Sequence, residues 1–224
     1  MGSVDGITRR TVLGGLAVGG TLALTGCGSS KTASYRFRMT VETNTPAGVK
    51  TGSSVMEESA YRETFRTSET GPGGGGIRGE AVVVDLPDGP LFALLKLPGA
   101  NGQLPVTEAL TGTEHFTTFE DYFAAVQKLG GWFSHAKAEL PREHWPMMVR
   151  FGDVNDPKSV EQVDSAIAGV KRILLETTRD EVTIGIEKRL PWLGPLKGGY
   201  LNGSFTSRGS PLSLDGTAFS TEIR

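Results

Sequence analysis

The chain has a single cysteine, Cys27, among its 224 residues. An intramolecular disulfide is therefore impossible, and any folded domain must be stabilised by packing and hydrogen bonding alone. The 198 residues that begin at Cys27 are enough for one domain with a substantial core. With 38% hydrophobic and 21% charged residues, the composition is typical of a globular rather than a disordered chain.

The segment before Cys27 has the organisation of a secretory signal. Arg9 and Arg10 precede residues 11–26, a run of 16 residues that carries no charge and includes five glycines. This run is shorter than the roughly 20 residues needed to span a bilayer, and each glycine weakens a helix by about 1 kcal/mol relative to alanine. A signal peptide over residues 1–26 is therefore favoured over the alternative of a transmembrane helix.

The end of this signal resembles the lipobox of bacterial lipoproteins, in which an aliphatic residue and two small residues precede a cysteine. The matching residues are Leu24, Thr25, Gly26 and Cys27. The resemblance implies cleavage before Cys27 and transfer of a diacylglyceryl group to its nucleophilic thiol. It also implies a location in the cell envelope, facing the periplasm, since the signal directs export. Two or more acyl chains would make release from the membrane negligible.

The export route and the destination membrane are less constrained. Thr8–Leu13 resembles a twin-arginine motif built on Arg9 and Arg10, with Val12 where Phe is more usual. The glycine-rich run favours this route, and general secretory export is the alternative. Ser29 stands second after the cysteine, which under enteric-type sorting favours the outer membrane without excluding the inner one.

The charge balance gives no indication of a nucleic-acid partner. The formal charge is −2 for the whole chain and −3 for the part that begins at Cys27, with 21 basic and 24 acidic residues. A nucleic-acid surface requires a basic stripe, which a mildly acidic domain does not favour. No motif in the sequence predicts a bound cofactor.

Hydrophobic patterning predicts an α+β domain with a mainly antiparallel sheet and a few short helices. Residues 28–34 are predicted to form a flexible tether, and residues 35–224 a single domain. Within it, 35–97 and 98–224 are candidate lobes. The first lobe is expected to be an antiparallel meander, in which the apolar run 81–84 is a central strand covered on both faces.

Four further local patterns predict individual elements. Tyr35–Glu42 alternates apolar and polar residues, as a half-buried strand does. Thr118 is placed to cap an amphipathic helix over Phe119–Leu129. Strands are also predicted at Val170–Thr178 and at Leu212–Ile223.

Two loops superficially resemble ligand-binding motifs. Gly71–Gly76 has the glycine content of a phosphate loop, but Ile77 and Arg78 follow it where a Walker loop needs Lys and Ser or Thr. We interpret it as a hairpin tip. Asp153–Pro157 has the start of a calcium loop, but Pro157 occupies the fifth position, so a capped helix start is the preferred interpretation.

The three histidines give a weak indication of catalysis. His115, His135 and His144 are not at the spacing of a zinc motif, so no metal site is predicted. Glu114 and Glu143 each precede a histidine, which leaves open a site assembled from distant residues. Convergence of two histidines and a carboxylate in one pocket would favour an enzyme.

The segment Gly185–Leu193 is the strongest candidate for partner binding. It carries the charged and aromatic residues favoured at interfaces, namely Glu187, Lys188, Arg189 and Trp192. The alternative is a structural helix whose tryptophan packs into the core. Core packing is also expected for Trp132-Phe133 and for Trp145–Met148.

The part of the chain after Cys27 resembles small proteobacterial envelope proteins that have no assigned activity, chiefly over Val49–Glu57 and Ile186–Trp192. The favoured expectation is a lipid-anchored envelope protein that binds a protein or another envelope component. Two alternatives stay open: a periplasmic hydrolase with a histidine and carboxylate site, and a carrier for an apolar ligand.

Overall fold

A computed structural model of the chain describes residues 31–63, 73–96, 104–196, 199–201 and 214–222. The residues predicted to direct export and lipidation lie outside these ranges, so their roles stay predictions: Arg9, Arg10, Leu24, Thr25, Gly26 and Cys27.

The fold is α+β, with mostly antiparallel sheets and few, short helices, as the patterning predicts. The strands are β1 (Lys31–Thr45), β2 (Gly48–Arg62), β3 (Gly73–Arg78), β4 (Val82–Leu86), β5 (Gly89–Ala93), β6 (Lys137–Glu139), β7 (Met148–Phe151), β8 (Val160–Gln162) and β9 (Val170–Thr178). The helices are α1 (Leu104–Thr111), α2 (Phe119–Leu129) and α3 (Leu193–Leu196), and four 3₁₀ turns are also described: Arg142–His144, Pro157–Ser159, Ile186–Lys188 and Gly216–Ala218.

The first sheet has the strand order β3-β2-β1-β9-β6 and contains the predicted N-terminal meander, β1 to β3. The β1–β2 hairpin pairs 15 residues on each strand, from Lys31 opposite Arg62 to Thr45 opposite Gly48. The strand therefore starts four residues earlier than the sequence indicates, and 31–34 belong to β1 rather than to the tether. Pairing with β2 explains the difference, since residues 31–34 include no large apolar side chain and show no apolar alternation of their own.

The second sheet has the order β4-β5-β7-β8. The prediction that 81–84 form a central strand is wrong, because β4 stands at the end of the described sheet. The coverage of both faces is confirmed, since Val82 and Val84 belong to one core cluster and Ala81 and Val83 pack in the other. Strand β2 also packs against β4. A Cβ at Gly52 of β2 would lie 2.0 Å from the carbonyl oxygen of Val83, so only glycine permits this close approach.

Helix α2 forms where the sequence predicts it, over Phe119–Leu129. Thr118 is the N-cap, and its hydroxyl accepts a hydrogen bond from the backbone N–H of Asp121. The apolar stripe is buried against β1 and β2 through Tyr122 and Val126 among others. A local cap and a 3.6-residue period thus agree, which is why this helix is predictable.

Strand β9 (Val170–Thr178) also has the predicted bounds, whereas the C-terminal strand does not form in the described part of 212–223. A 3₁₀ turn occupies Gly216–Ala218 because the Asp215 carboxylate accepts hydrogen bonds from the N–H groups of Thr217 and Ala218. Such side-chain caps compete with strand pairing.

The core divides on the two faces of the second sheet. In β5, Leu91 and Ala93 face the first sheet and the helices α1 and α2, while Phe92 on the opposite face packs with Phe219 and Leu190. Both core clusters and both sheets draw residues from each side of position 97, so the chain does not follow the suggested lobes. Within the described ranges, no helix is both long and apolar enough to cross a bilayer.

Candidate functional site, a buried glutamate beneath a glycine-edged groove

Glu58 is the least expected residue of the interior. It lies on the inner face of β2 between Met56 and Ala60, and its solvent exposure is 0%. No ion pair with a lysine, arginine or histidine is seen for it among the described residues. Buried carboxylates are rare, and those without a cation are candidates for a functional role.

Three hydroxyl groups surround the Glu58 carboxyl. The hydroxyl of Tyr35, directly opposite on β1, lies at hydrogen-bond distance from Oε2, 2.7 Å away. Thr107 of α1 and Tyr122 of α2 donate to Oε1 at 2.8 and 2.7 Å. The hydroxyls of Tyr35 and Thr107 are also 2.9 Å apart. The carboxyl therefore joins the hairpin to both helices.

Counting protons shows which charge state fits this network. If Glu58 is ionised, the hydroxyls of Tyr35, Thr107 and Tyr122 all donate to it, and no proton remains for the 2.9 Å contact between Tyr35 and Thr107. If Glu58 is protonated, its Oε2 donates to Tyr35, Tyr35 donates to Thr107, and Thr107 donates back to Oε1. Four short contacts then hold four protons, so the geometry suits the neutral acid.

The pKa shifts also favour the neutral form of Glu58. Burial raises the pKa of Glu58 from its ordinary 4.5 to about 7, and the hydrogen bonds from the three hydroxyls limit that rise. The pKa of Tyr35 and that of Tyr122 are raised by burial and then by the nearby Glu58 charge. Glu58 can thus exchange a proton near neutral pH.

A groove of about 480 Å³ lies next to this network. The groove is lined by the backbone of Gly73–Gly75 and by the aromatic rings of Phe116, Phe119 and Tyr122. A Cβ at Gly75 would be 2.9 Å from the Tyr122 hydroxyl. Tyr122 lines the groove and is hydrogen-bonded to Glu58, which is not itself part of the lining.

The glycine-rich segment itself differs from the predicted hairpin tip. Gly73–Gly76 belong to β3 and pair with 59–62 of β2. The glycines could not be recognised as a strand because they have no side chains and hence no alternation. Gly71 lies outside the described residues.

The structure does not bring the three histidines together. His115 is exposed beside the groove, with its Nδ1 3.4 Å from Glu108, while His135 lines a different surface depression next to Trp132. His144 lies in the 3₁₀ turn Arg142–His144. No group of three metal-ligating side chains occurs in the described ranges, and the hydrolase hypothesis stays a prediction without a located site.

The predicted partner segment has structural contacts. Trp192 packs against Phe151 and Phe219, and its indole N–H donates to the carbonyl of Val154 at 2.8 Å. This packing matches the alternative prediction, in which Trp192 packs into the core and has a structural role.

The charged residues of this segment lie outward. Arg189 forms a forked pair with Asp85 at 2.5 and 2.8 Å, which lowers the pKa of that carboxyl. Lys188 is exposed and Glu187 is half-buried. Partner binding through these residues stays a prediction.

A second buried carboxylate, Glu80, has a structural role. Its two oxygens accept the N–H groups of Gly185 and Ile186 at 2.8 and 2.9 Å, at the start of the 3₁₀ turn Ile186–Lys188. Burial raises its pKa, and these backbone bonds oppose the rise. In Asp153–Pro157, likewise, Asp156 caps a 3₁₀ turn through the N–H of Lys158, which agrees with the interpretation as a helix start.

Sequence reasoning missed the Glu58 site because β2 has mixed polarity on both faces. Met56, Glu58 and Ala60 share one face, and Val55 and Glu57 share the other. Neither set is more apolar than the other, so the alternation cannot show which side is buried. The register of Tyr35 opposite Glu58 is the missing information.

Comparison of the chain with protein-family models, with curated proteins and with solved structures gave no match.

Proposed function

We propose that the chain is an exported lipoprotein whose acylated Cys27 holds the domain at a membrane of the cell envelope, where the domain binds a protein or another envelope component. The observation that carries the proposal is the position of the folded body relative to the lipobox. Strand β1 begins at Lys31, four residues after Cys27. Four residues span at most about 14 Å, so a lipid on Cys27 would hold the domain against the bilayer surface.

The groove beside β3 supports the binding part of the proposal. Strand β3 stands at the end of the described first sheet, and alternate residues of an edge strand direct their N–H and C=O groups outward. Gly73–Gly75 have no side chains of their own, the Phe119 ring lies against Gly73, and Phe116 and Phe119 add apolar surface to the same groove. An extended polypeptide segment is the ligand that such an edge and groove fit best, since added strands bind through backbone hydrogen bonds.

The groove is a better candidate than the segment 187–192. Binding through Trp192 would require its ring to leave Phe151 and Phe219, and its indole N–H to leave the carbonyl of Val154. The lining of the groove, by contrast, is available without any such loss. Protein interfaces are most often formed with little backbone rearrangement.

Two experiments test the two parts of the proposal separately. For the anchor, the intact mass of the chain purified from membranes should correspond to residues 27–224 plus a diacylglyceryl group. The Cys27→Ala variant should keep residues 1–26 and carry no lipid. An unmodified thiol at Cys27 in the wild-type protein would contradict lipidation.

For the binding groove, a photoreactive residue is placed at Thr117, which is exposed at the groove, and for comparison at Lys158, which is exposed on the 3₁₀ turn Pro157–Ser159. Irradiation of intact cells should give an adduct of defined mass from position 117 only. Equal labelling from both positions, or none from 117, would contradict binding at the groove.

A further inference from the structure

Two adjacent aromatic side chains, Trp132 and Phe133, project from the loop that follows α2. Their exposed fractions are 74% and 86%, although the sequence led us to expect core packing. The prediction is wrong because Gly130 ends the helix at this point, after its last buried residue, Leu129. Large apolar side chains exposed side by side indicate an interaction surface. We name Trp132 and Phe133 the aromatic tip.

The aromatic tip is held in place by the N-terminal part of β1. A Cβ at Gly130 would lie 2.3 Å from the carbonyl oxygen of Ser34, so the loop and β1 are in close contact. Arg179, just after β9, donates to the carbonyl of Gly131 at 3.0 Å, and its guanidinium lies 4.5 Å from the centre of the Trp132 ring. The orientation of Trp132 is thus fixed by a hydrogen bond and a cation–π contact.

This position is close to the proposed lipid. Ser34 is seven residues after Cys27, a separation that a chain can span over at most about 25 Å. The other end of β1 is far away. Asn44 there donates to the carbonyl of Gly169, beside the equally exposed Ile167, and ten strand residues correspond to about 33 Å.

We propose that the aromatic tip inserts into the headgroup region of the membrane that carries the Cys27 lipid, and so fixes the orientation of the domain on the bilayer. The inference rests on the proposed anchoring. Tryptophan and phenylalanine have the amphipathic or apolar rings that favour the membrane interface. Arg179 and the exposed Lys128, which lines the same surface depression as both rings, supply cations for lipid phosphates.

The test uses residues 27–224, which include every described element, with Cys27 coupled through its thiol to a maleimide lipid. The single cysteine makes this coupling specific, and the tether no longer depends on lipidation in the cell. The vesicles contain phosphatidylcholine and a minority of phosphatidylglycerol, with brominated acyl chains that quench tryptophan. Trp132→Phe identifies the emission of Trp132, because it leaves only Trp145, which is buried, and Trp192, which is partly buried against the second core cluster.

We expect the Trp132 emission of the tethered protein to be quenched. Phe133→Ser should reduce the quenched fraction to about half or less, because one of the two inserting rings is lost. Ile167→Ser, which removes an equally exposed apolar side chain at the far end of β1, should leave it unchanged.

Trp132 emission that bromolipids do not quench would overturn the proposal, as would equal effects of Phe133→Ser and Ile167→Ser. Either result would leave the anchor intact, since lipidation is judged from the intact mass alone. A wild-type protein without lipid in cells would instead contradict the anchor, while quenching in the coupled protein would still support a membrane-facing tip.

Discussion

Replacing Glu58 by glutamine should remove a specific pH dependence from the stability of the domain. In the folded state the pKa of Glu58 is raised by burial to about 7, against an ordinary value of 4.5. The folded protein therefore binds more protons than the unfolded chain between these pH values, and its free energy of unfolding falls as pH rises. The stabilisation is fully present below pH 4.5 and is lost as pH rises through 7.

The magnitude follows from the size of the shift. Each pKa unit corresponds to 1.36 kcal/mol, so a rise from 4.5 to about 7 amounts to about 3 kcal/mol. Glutamine cannot ionise, and its amide can reproduce the ring of the neutral acid by donating to Tyr35 and accepting from Thr107. One amide hydrogen has no counterpart in that ring, which adds a constant cost of about 1–3 kcal/mol.

The assay is urea unfolding of the wild-type and Glu58→Gln proteins, followed by circular dichroism, at several values between pH 4.5 and 8. The difference between the two free energies of unfolding isolates Glu58, because every other titrating group is common to both proteins. We expect this difference to move by about 3 kcal/mol in favour of the glutamine variant as pH rises. A difference that stays constant across this range would refute the assignment of Glu58 as the titrating group.

Three further substitutions, one of them with a matched control, test other parts of the structure. Tyr122→Phe removes a donor at 2.7 Å from Glu58, so the pKa of Glu58 should rise further and the loss of stability in urea titrations should move to higher pH. Gly75→Ala should lower the free energy of unfolding by about 1–3 kcal/mol, because its Cβ would meet the Tyr122 hydroxyl at 2.9 Å. Gly76→Ala is the matched control, since its nearest neighbour would be 3.9 Å away, and equal losses would contradict this account. Glu42→Gln should destabilise the protein at neutral pH but not in acid. The hydrogen bonds from Arg172 lower the pKa of the Glu42 carboxyl, so the stabilisation by this pair is lost as pH falls through the lowered pKa.

The elements that sequence analysis placed correctly are those determined by local signals. Helix α2 has both a cap at Thr118 and an apolar stripe, and Val170–Thr178 is rich in residues that favour strands. The structure confirms both assignments. They could be predicted because helix capping and side-chain periodicity depend only on residues close together in sequence.

The elements that were misplaced depend on distant partners. The position of β4 at the end of its sheet is decided by β2, whose Gly52 approaches Val83 across 31 residues of sequence. Residues 31–34 become a strand only because β2 returns beside them. The exposure of the aromatic tip could not be predicted for the same reason. The sequence of two adjacent aromatic residues does not show whether distant parts of the chain pack over them.

The Glu58 network gives a physical reason for one register of the β1–β2 hairpin. A slip of one residue that brought Ser59 opposite Tyr35 would exchange the two faces of β2 and put a serine hydroxyl in place of the Glu58 carboxyl. Apolar burial discriminates weakly between these registers, because each face carries both apolar and acidic residues. The hydroxyls of Tyr35, Thr107 and Tyr122 discriminate strongly, since all three lose their carboxyl partner in this slipped register. A buried ionisable group contributes little net stability but can select one arrangement among several. Glu58 can therefore set the register of the hairpin and still carry a proton that exchanges near neutral pH, because both properties depend on the same three hydrogen bonds.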